Sequence, residues 1–129
     1  MRLAGPFNSG AAVGSAGVAT ANQTTTTIIE GKLFAVYVVY NDSPPATTDV
    51  TVATSGVRHP ATTLLTLTNA NTSTVKYPRI AVHDTAGVAV TYGVALPIYD
   101  VLVISDTVKV TIAQADAPDN VDVYLLLCD

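Results

Sequence analysis

The side chains that could act as bases, nucleophiles or metal ligands in this 129-residue chain are few: His59, His83, Cys128 and ten carboxylates. A transition-metal site needs three or four such ligands brought together. The short spacings that signal one (HxH, HExxH, a Cys/His pair) do not occur. His59 precedes Pro60 in a loop and His83 sits beside Asp84 at a strand end, so both read as structural or surface residues. Cys128 has no base beside it in sequence and reads as a small apolar residue closing a strand rather than a reactive thiol. Asp116, Asp119 and Asp122 cluster around a turn, but a Ca²⁺ loop needs converging oxygens, a glycine at the bend and a bidentate Glu. Ala115 to Asn120, ADAPDN, supplies neither the glycine nor the Glu. GxSxG, P-loop and GxGxxG patterns are missing, and the glycines from Gly10 to Gly17 have no strand before them and no helix after. The expectation is a protein with no catalytic residue, no metal and no cofactor.

Sugar or ice recognition finds equally thin support. Tyr37 and Tyr40 fall on opposite faces of one strand and cannot form a single stacking platform, and there is no Trp. The threonine pairs Thr24/Thr26 and Thr66/Thr68 do not recur strand after strand as an ice-binding face requires. Ordinary β-propensity explains them.

The elements that would position any site are strands. Ile28 to Val52 carries the strongest signal. Leu33 to Tyr40 is apolar at every position, rich in aromatic and β-branched residues, and of a length that suits a strand buried on both faces. Asn41 to Thr48 is turn chemistry, with Asn41, Asp42 and Ser43 able to bond their own backbone and Pro44-Pro45 fixing two φ angles. Asp49 to Val52 starts an alternating strand. Further strands are predicted over Thr62–Thr68, over Val75–Asp84 with an interruption at Pro78, over Val88–Leu96 as an apolar run with a bulge at Gly93, and over Tyr99–Ser105. Val108 to Ile112 and Val121 to Leu127 alternate as half-buried strands do. Strands also fall within the threonine-rich stretch from Val18 to Ile29. No stretch has a 3.6-residue period long enough for a three-turn helix. Eight or nine short strands at regular spacing predict an all-β, single-domain antiparallel β-sandwich. A jelly roll is favoured over an immunoglobulin-like order, whose Cys…Trp…Cys spacing is missing.

Composition bears on partners. Hydrophobic residues are 49% of the chain and charged residues 12%, about half the usual ~25%. So little charge predicts that part of the surface is covered by other subunits. The net charge of −4 and the lack of any Lys/Arg cluster argue against nucleic acid as a partner. No segment reads as membrane-spanning. Ala11 to Ala21 lacks the apolar core of a signal peptide. A single cysteine fits assembly in a reducing cytoplasm.

Met1 to Gly17 is made largely of Gly, Ala and Ser. It cannot bury enough side-chain surface to order itself. The predicted division is an extended N-terminal arm over 1–17 and a sandwich over 18–129. A neighbouring subunit is the expected holder of the arm, gripping it through Leu3, Pro6 and Phe7, with folding back onto its own domain as the alternative. The second candidate contact surface is the loop tip Asp42, Ser43, Pro44 and Pro45, which otherwise reads as a plain exposed loop.

Gly31 to Tyr40, GKLFAVYVVY, followed by a polar proline-containing loop and Thr47 to Val52, TTDVTV, resembles small proteins from the structural-gene blocks of tailed bacteriophages. Leu64 to Asn69, Tyr77-Pro78-Arg79, Asp84 to Gly87 and Val121 to Tyr124 fit the same pattern, so the resemblance spans about Gly17 to the C-terminus. It implies a capsid cement or decoration protein, a β-sandwich sitting on the capsid exterior after assembly in the host cytoplasm. It would not be an enzyme. Its implied partners are the major capsid protein, whose neighbouring subunits it would clamp, and itself as a homo-dimer or homo-trimer. Multiple weak contacts would then add through effective concentration. The alternative is a glycan- or host-surface-binding β-sandwich module of a phage tail or fibre.

Overall fold

A computed structural model describes residues 1–129 and contains thirteen β-segments and no helix. The chain opens with β1 (Arg2–Asn8), β2 (Ala19–Thr24), β3 (Ile29–Asn41), β4 (Asp49–Thr54) and β5 (Thr63–Leu67). Five short segments follow: β6 (Thr74–Lys76), β7 (Ile80–Ala81), β8 (Thr91–Tyr92), β9 (Leu96–Pro97) and β10 (Tyr99–Asp100). It closes with β11 (Leu102–Asp106), β12 (Val108–Ala115) and β13 (Asn120–Cys128).

One sheet runs β1-β13-β3-β11, with β6 pairing further along β3, and the other runs β2-β12-β4-β5. All strand pairs are antiparallel. Among the eight sandwich strands every connection crosses between sheets except β4 to β5, and β1 and β13, first and last, lie side by side. That is the connectivity of a jelly roll, two interlocked Greek keys.

Alternation drives the assembly. Val108, Val110 and Ile112 of β12 face Leu33, Val36 and Val38 of β3 and Val121, Val123, Leu125 and Leu127 of β13 across one core cluster. A one-residue slip of any of these strands would send its whole apolar set to solvent, so the pattern fixes the register. β3 is central but not buried on both faces: on its outward side Ala35 is buried, Tyr37 is half-buried and Val39 is exposed. The outward side of its sheet is open.

The extended N-terminal arm is corrected. Residues 2–8 are an edge strand on β13, with Arg2 opposite Leu127 and Asn8 opposite Asp122. Beyond it, Ser9 N donates to Val121 O, Ala12 N to Asp119 O and Gly17 N to Asp116 Oδ1. The segment folds back onto its own domain. Its side chains are too small to order it, but the free edge of β13 offers backbone partners that composition does not reveal. A bulge at Gly5-Pro6 splits the three expected anchors. Leu3 faces out and Phe7 packs against the core. Gly5 sits at φ +119°, and a Cβ there would meet Val123 O at 2.7 Å, so only glycine fits.

The corner between β11 and β12 is one residue long and is built around Asp106, whose side chain is buried. Its carboxylate accepts from Gly56 N at 3.0 Å, Val57 N at 3.1 Å and Thr107 N at 2.8 Å. Desolvation alone would raise this carboxyl. The amides of Thr107, Gly56 and Arg58, with His59 nearby, outweigh it and hold the group below its ordinary value of 3.8. The sandwich is pinned at this end by an ionised side chain.

Candidate functional site

No three His, Cys, Asp or Glu side chains converge anywhere in the structure. His83 is exposed and its backbone bridges to Ala89, His59 Nδ1 lies 3.0 Å from its neighbour's carbonyl, and Cys128 is partly exposed on the outward side of β13. Asp116 and Asp119 serve their own turn and the segment before β2. The features that stand out are surfaces.

The largest is an insertion between β5 and β11, residues 68–101, in which no residue is buried. The sequence predicts sandwich strands over Val75–Asp84 and Val88–Leu96. Instead these residues leave the sandwich after β6 and form a three-way β-junction. β7 pairs with β10 as a stem, β8 with β9 as one hairpin, and a bridge between His83 and Ala89 closes the other. At the centre Val82 N donates to Ile98 O, Ile98 N to Val90 O and Val90 N to Val82 O, a closed ring of three hydrogen bonds. These three residues are spaced eight apart, as the turns at Asp84–Gly87 and Gly93–Ala95 require. Asp84 caps the first turn through the amides of Ala86 and Val88. Gly87 and Gly93 adopt φ of +77° and +64°.

The root of the insertion is fixed to β3. The Phe34 ring packs edge-on against Tyr77, centroids 5.7 Å apart, and lies under the Arg79 guanidinium at 5.4 Å. Arg79 also donates to Phe34 O at 3.0 Å. Beyond that root the insertion has no core. Val94 at its tip is 93% exposed, and Tyr77, Tyr92, Tyr99, Val88 and Leu96 are exposed by about half or more. With Ile80 and Ile98 they make up eight of the chain's seventeen exposed large apolar side chains. Lys76, Arg79, Asp84 and Asp100 cancel in charge. Isolated two-stranded ribbons are marginal in water, and exposed apolar side chains concentrated in one segment point to an interaction site.

The two outer faces of the sandwich differ. On the β2-β12-β4-β5 sheet the row Asn22–Thr111–Thr51–Thr66 crosses all four strands, and Lys109 and Thr24 lie beside it. The outward rows of the other sheet are Leu3–Leu126–Ala35 and Tyr124–Tyr37–Val75. Asn8, Asn41 and Asn120 gather around Asp122 at one end of that face, with Asp122 accepting from Asn8 and Asn41 at 2.9 Å each.

The loop from Asn41 to Thr48 divides. Asp42, at φ +62°, and Ser43 are exposed, Pro45 is half-buried and Pro44 is buried. Asn71 Nδ2 donates to Pro44 O, and Thr48 donates to Pro45 O through both its amide and its hydroxyl. Pro44 is therefore packing, not a contact residue, because the two-proline turn folds inward over the end of the sandwich. Close to it in sequence, the Tyr40 phenol oxygen is buried without a partner in the chain, and burial, with Asp49 nearby, raises its pKa to about 12.

Between β5 and β6 lies an open polar cleft of about 340 Å³, lined by Asn69, Asn71, Thr72, Ser73, Thr74 and Lys76 among others and by no aromatic ring. No helix of the structure is long and apolar enough to cross a membrane. No family model matches the chain, and no curated protein and no solved structure is significantly similar to it.

Proposed function

We propose that this chain is a structural virion subunit, a decoration protein that sits on the outside of a phage capsid and clamps neighbouring major capsid protein subunits. The observation that carries this reading is the insertion at 68–101, which has no core of its own and presents a net-neutral, tyrosine-rich set of exposed apolar side chains. A protein shell offers such a surface what water does not. The low charge of the chain and the resemblance at Gly31–Val52 point the same way, and the jelly roll is an architecture shared by viral capsid and lectin domains. The chemistry is mechanical: several modest contacts, made at once, become strong by avidity. Docking is assigned to the insertion rather than to the N-terminal segment, because Phe7 is engaged by the core and β1 by β13.

The test is co-sedimentation of the purified chain with mature capsids. Replacing Tyr92, Val94 and Leu96 together by Ser is expected to abolish attachment while leaving the melting temperature unchanged. Undiminished attachment of the folded variant would overturn the assignment.

The polar cleft beside β6 favours a second reading, a glycan-binding module. Its amides, hydroxyls and one ammonium could bind sugar hydroxyls, though it lacks the stacking ring that sugar sites normally present. Binding to a glycan array that is lost in Asn69→Ala and Lys76→Ala variants, without capsid attachment, would support it over the first.

A further inference from the structure

The apolar outward face of the β1-β13-β3 sheet is not part of the insertion's tip and needs its own occupant. We propose that it pairs with the same face of a second copy of this chain, sheet against sheet about a two-fold axis perpendicular to the strands. The inference concerns the chain with itself and stands whether or not the partner of the insertion is a capsid.

Three features lead there. First, the centre of the face is apolar: Leu3 and Leu126 in one cross-strand row, Tyr124, Tyr37 and Val75 in the next. Leu3 is 54% exposed, although an outward sheet face in water is normally polar, as the opposite face of this sandwich is. Second, the face is a sheet surface whose two bulges, at Gly5-Pro6 in β1 and at Phe34 in β3, leave the central rows paired in register. Such surfaces pack on one another about 10 Å apart with strands nearly aligned, and a two-fold contact needs only a patch complementary to itself.

Third, the charges select the orientation. Lys32 lies at one end of the face, opposite Cys128 and Val103, and Asp122 at the other, opposite Val39. Seven residues of strand separate Lys32 from Val39, roughly 23 Å. That is far beyond the screening length, so the two charges do not satisfy each other within one chain. Neither of the chain's two ion pairs, Arg2–Asp129 and Arg58–Glu30, involves Lys32. A two-fold axis perpendicular to the strands reverses the strand direction of the second copy. It sets each Lys32 over the second copy's Asp122 and apolar rows over apolar rows. An axis along the strands would set like charges together and is disfavoured. Asp122 is already oriented for this, its two oxygens held by Asn8 and Asn41.

The test is sedimentation of the purified chain alone over a concentration series. A dimer is expected. Leu126→Glu is expected to give a folded monomer, whereas Thr111→Glu on the opposite face leaves the dimer intact. Lys32→Glu and Asp122→Lys should each weaken association about tenfold, since each puts like charges face to face twice per dimer. Mixing the two variants should restore it, because in the mixed dimer both contacts are of opposite sign. Thermal melts of each variant confirm folding. A monomer at all concentrations, a trimer, a dimer indifferent to Leu126→Glu, or mixed variants that stay apart would each overturn the proposal. None of these outcomes touches capsid attachment, which is read separately by the insertion variant.

Discussion

The sandwich and its insertion are made of similar residues and behave oppositely. Leu125 in β13 and Leu96 in β9 are both leucines in short antiparallel strands. The first is fully buried and the second is 48% exposed. The difference lies in what surrounds the strand. β13 sits between β1 and β3 and faces β12 across the core, whereas β9 has one two-residue partner, β8, and nothing stacked on it. Apolar content alone therefore does not say whether a strand belongs to a core. A strand needs a second layer within its own chain, and where that layer is missing the surface is available to another chain.

The largest expected effect follows from that contrast. Leu125→Ala removes side-chain volume from a filled core and should cost about 2–5 kcal/mol in chemical denaturation. Leu96→Ala should change stability by less than about 0.5 kcal/mol, the range of ordinary surface substitutions. Equal losses at the two sites would mean that the insertion is packed in solution and that the contrast is wrong.

Asp106 tests the corner that joins the two sheets. Asp106→Ala leaves the amides of Gly56, Val57 and Thr107 without their acceptor, so a clear drop in melting temperature is expected. The pH dependence has a definite sign. Folding lowers this pKa, so on acidification the unfolded chain takes up the proton first. The contribution is complete above the ordinary carboxylate value of 3.8, declines below it and is gone once the folded carboxyl is itself protonated. Melts between neutral pH and strong acid should show an acid decline in the natural chain that is reduced in Asp106→Asn.

Asp49 holds two residues of left-handed backbone at the other end of the sandwich: Asn69 through its amide and Gln114 through its side chain, each at φ +51°. Asp49→Ala should cost on the order of 1 kcal/mol. It should also raise hydrogen exchange at Asn69. An unchanged exchange rate there would mean the loop is held by packing alone.

Alternation made the sandwich legible. Val108–Ile112 and Val121–Leu127 announce both their strands and their inward faces, and many short strands in one domain call for two layers; the order of the strands within each sheet is set by pairings between distant segments that the pattern does not encode. Asp106 was not legible, because a lone Asp before Thr-Val reads as a turn residue, and its acceptor role depends on a loop fifty residues earlier in the chain. The N-terminal segment was misread for a related reason: small side chains say nothing about backbone partners, and β13 lies more than a hundred residues away. The insertion was mistaken for sandwich strands because Val88–Leu96 has a strand's composition. Its punctuation pointed elsewhere: Pro78, Gly87, Gly93 and Pro97 interrupt the run too often for any strand to cross a sandwich. Of the candidate contacts, Leu3, Pro6, Asp42 and Ser43 are exposed, Phe7 and Pro45 are half-buried and Pro44 is buried, since bulges and proline turns reverse direction in ways residue type alone does not encode.

The smallest expected effect is at Tyr40, where sandwich and surface meet. Its ring packs against the core while its phenol oxygen finds no partner in the chain. Removing that oxygen costs no hydrogen bond, so Tyr40→Phe should be neutral or stabilising by up to about 1 kcal/mol near neutral pH. Burial, with Asp49 nearby, raises the phenol to about 12 from 10.0. For an acid raised by folding, the unfolded chain ionises first as pH climbs. Its contribution is therefore complete below pH 10 and is lost toward pH 12. Denaturation measured across that window should show an alkaline decline in the natural chain that Tyr40→Phe reduces. A decline of the same size in both would mean that the Tyr40 phenol is solvated rather than closed off from water.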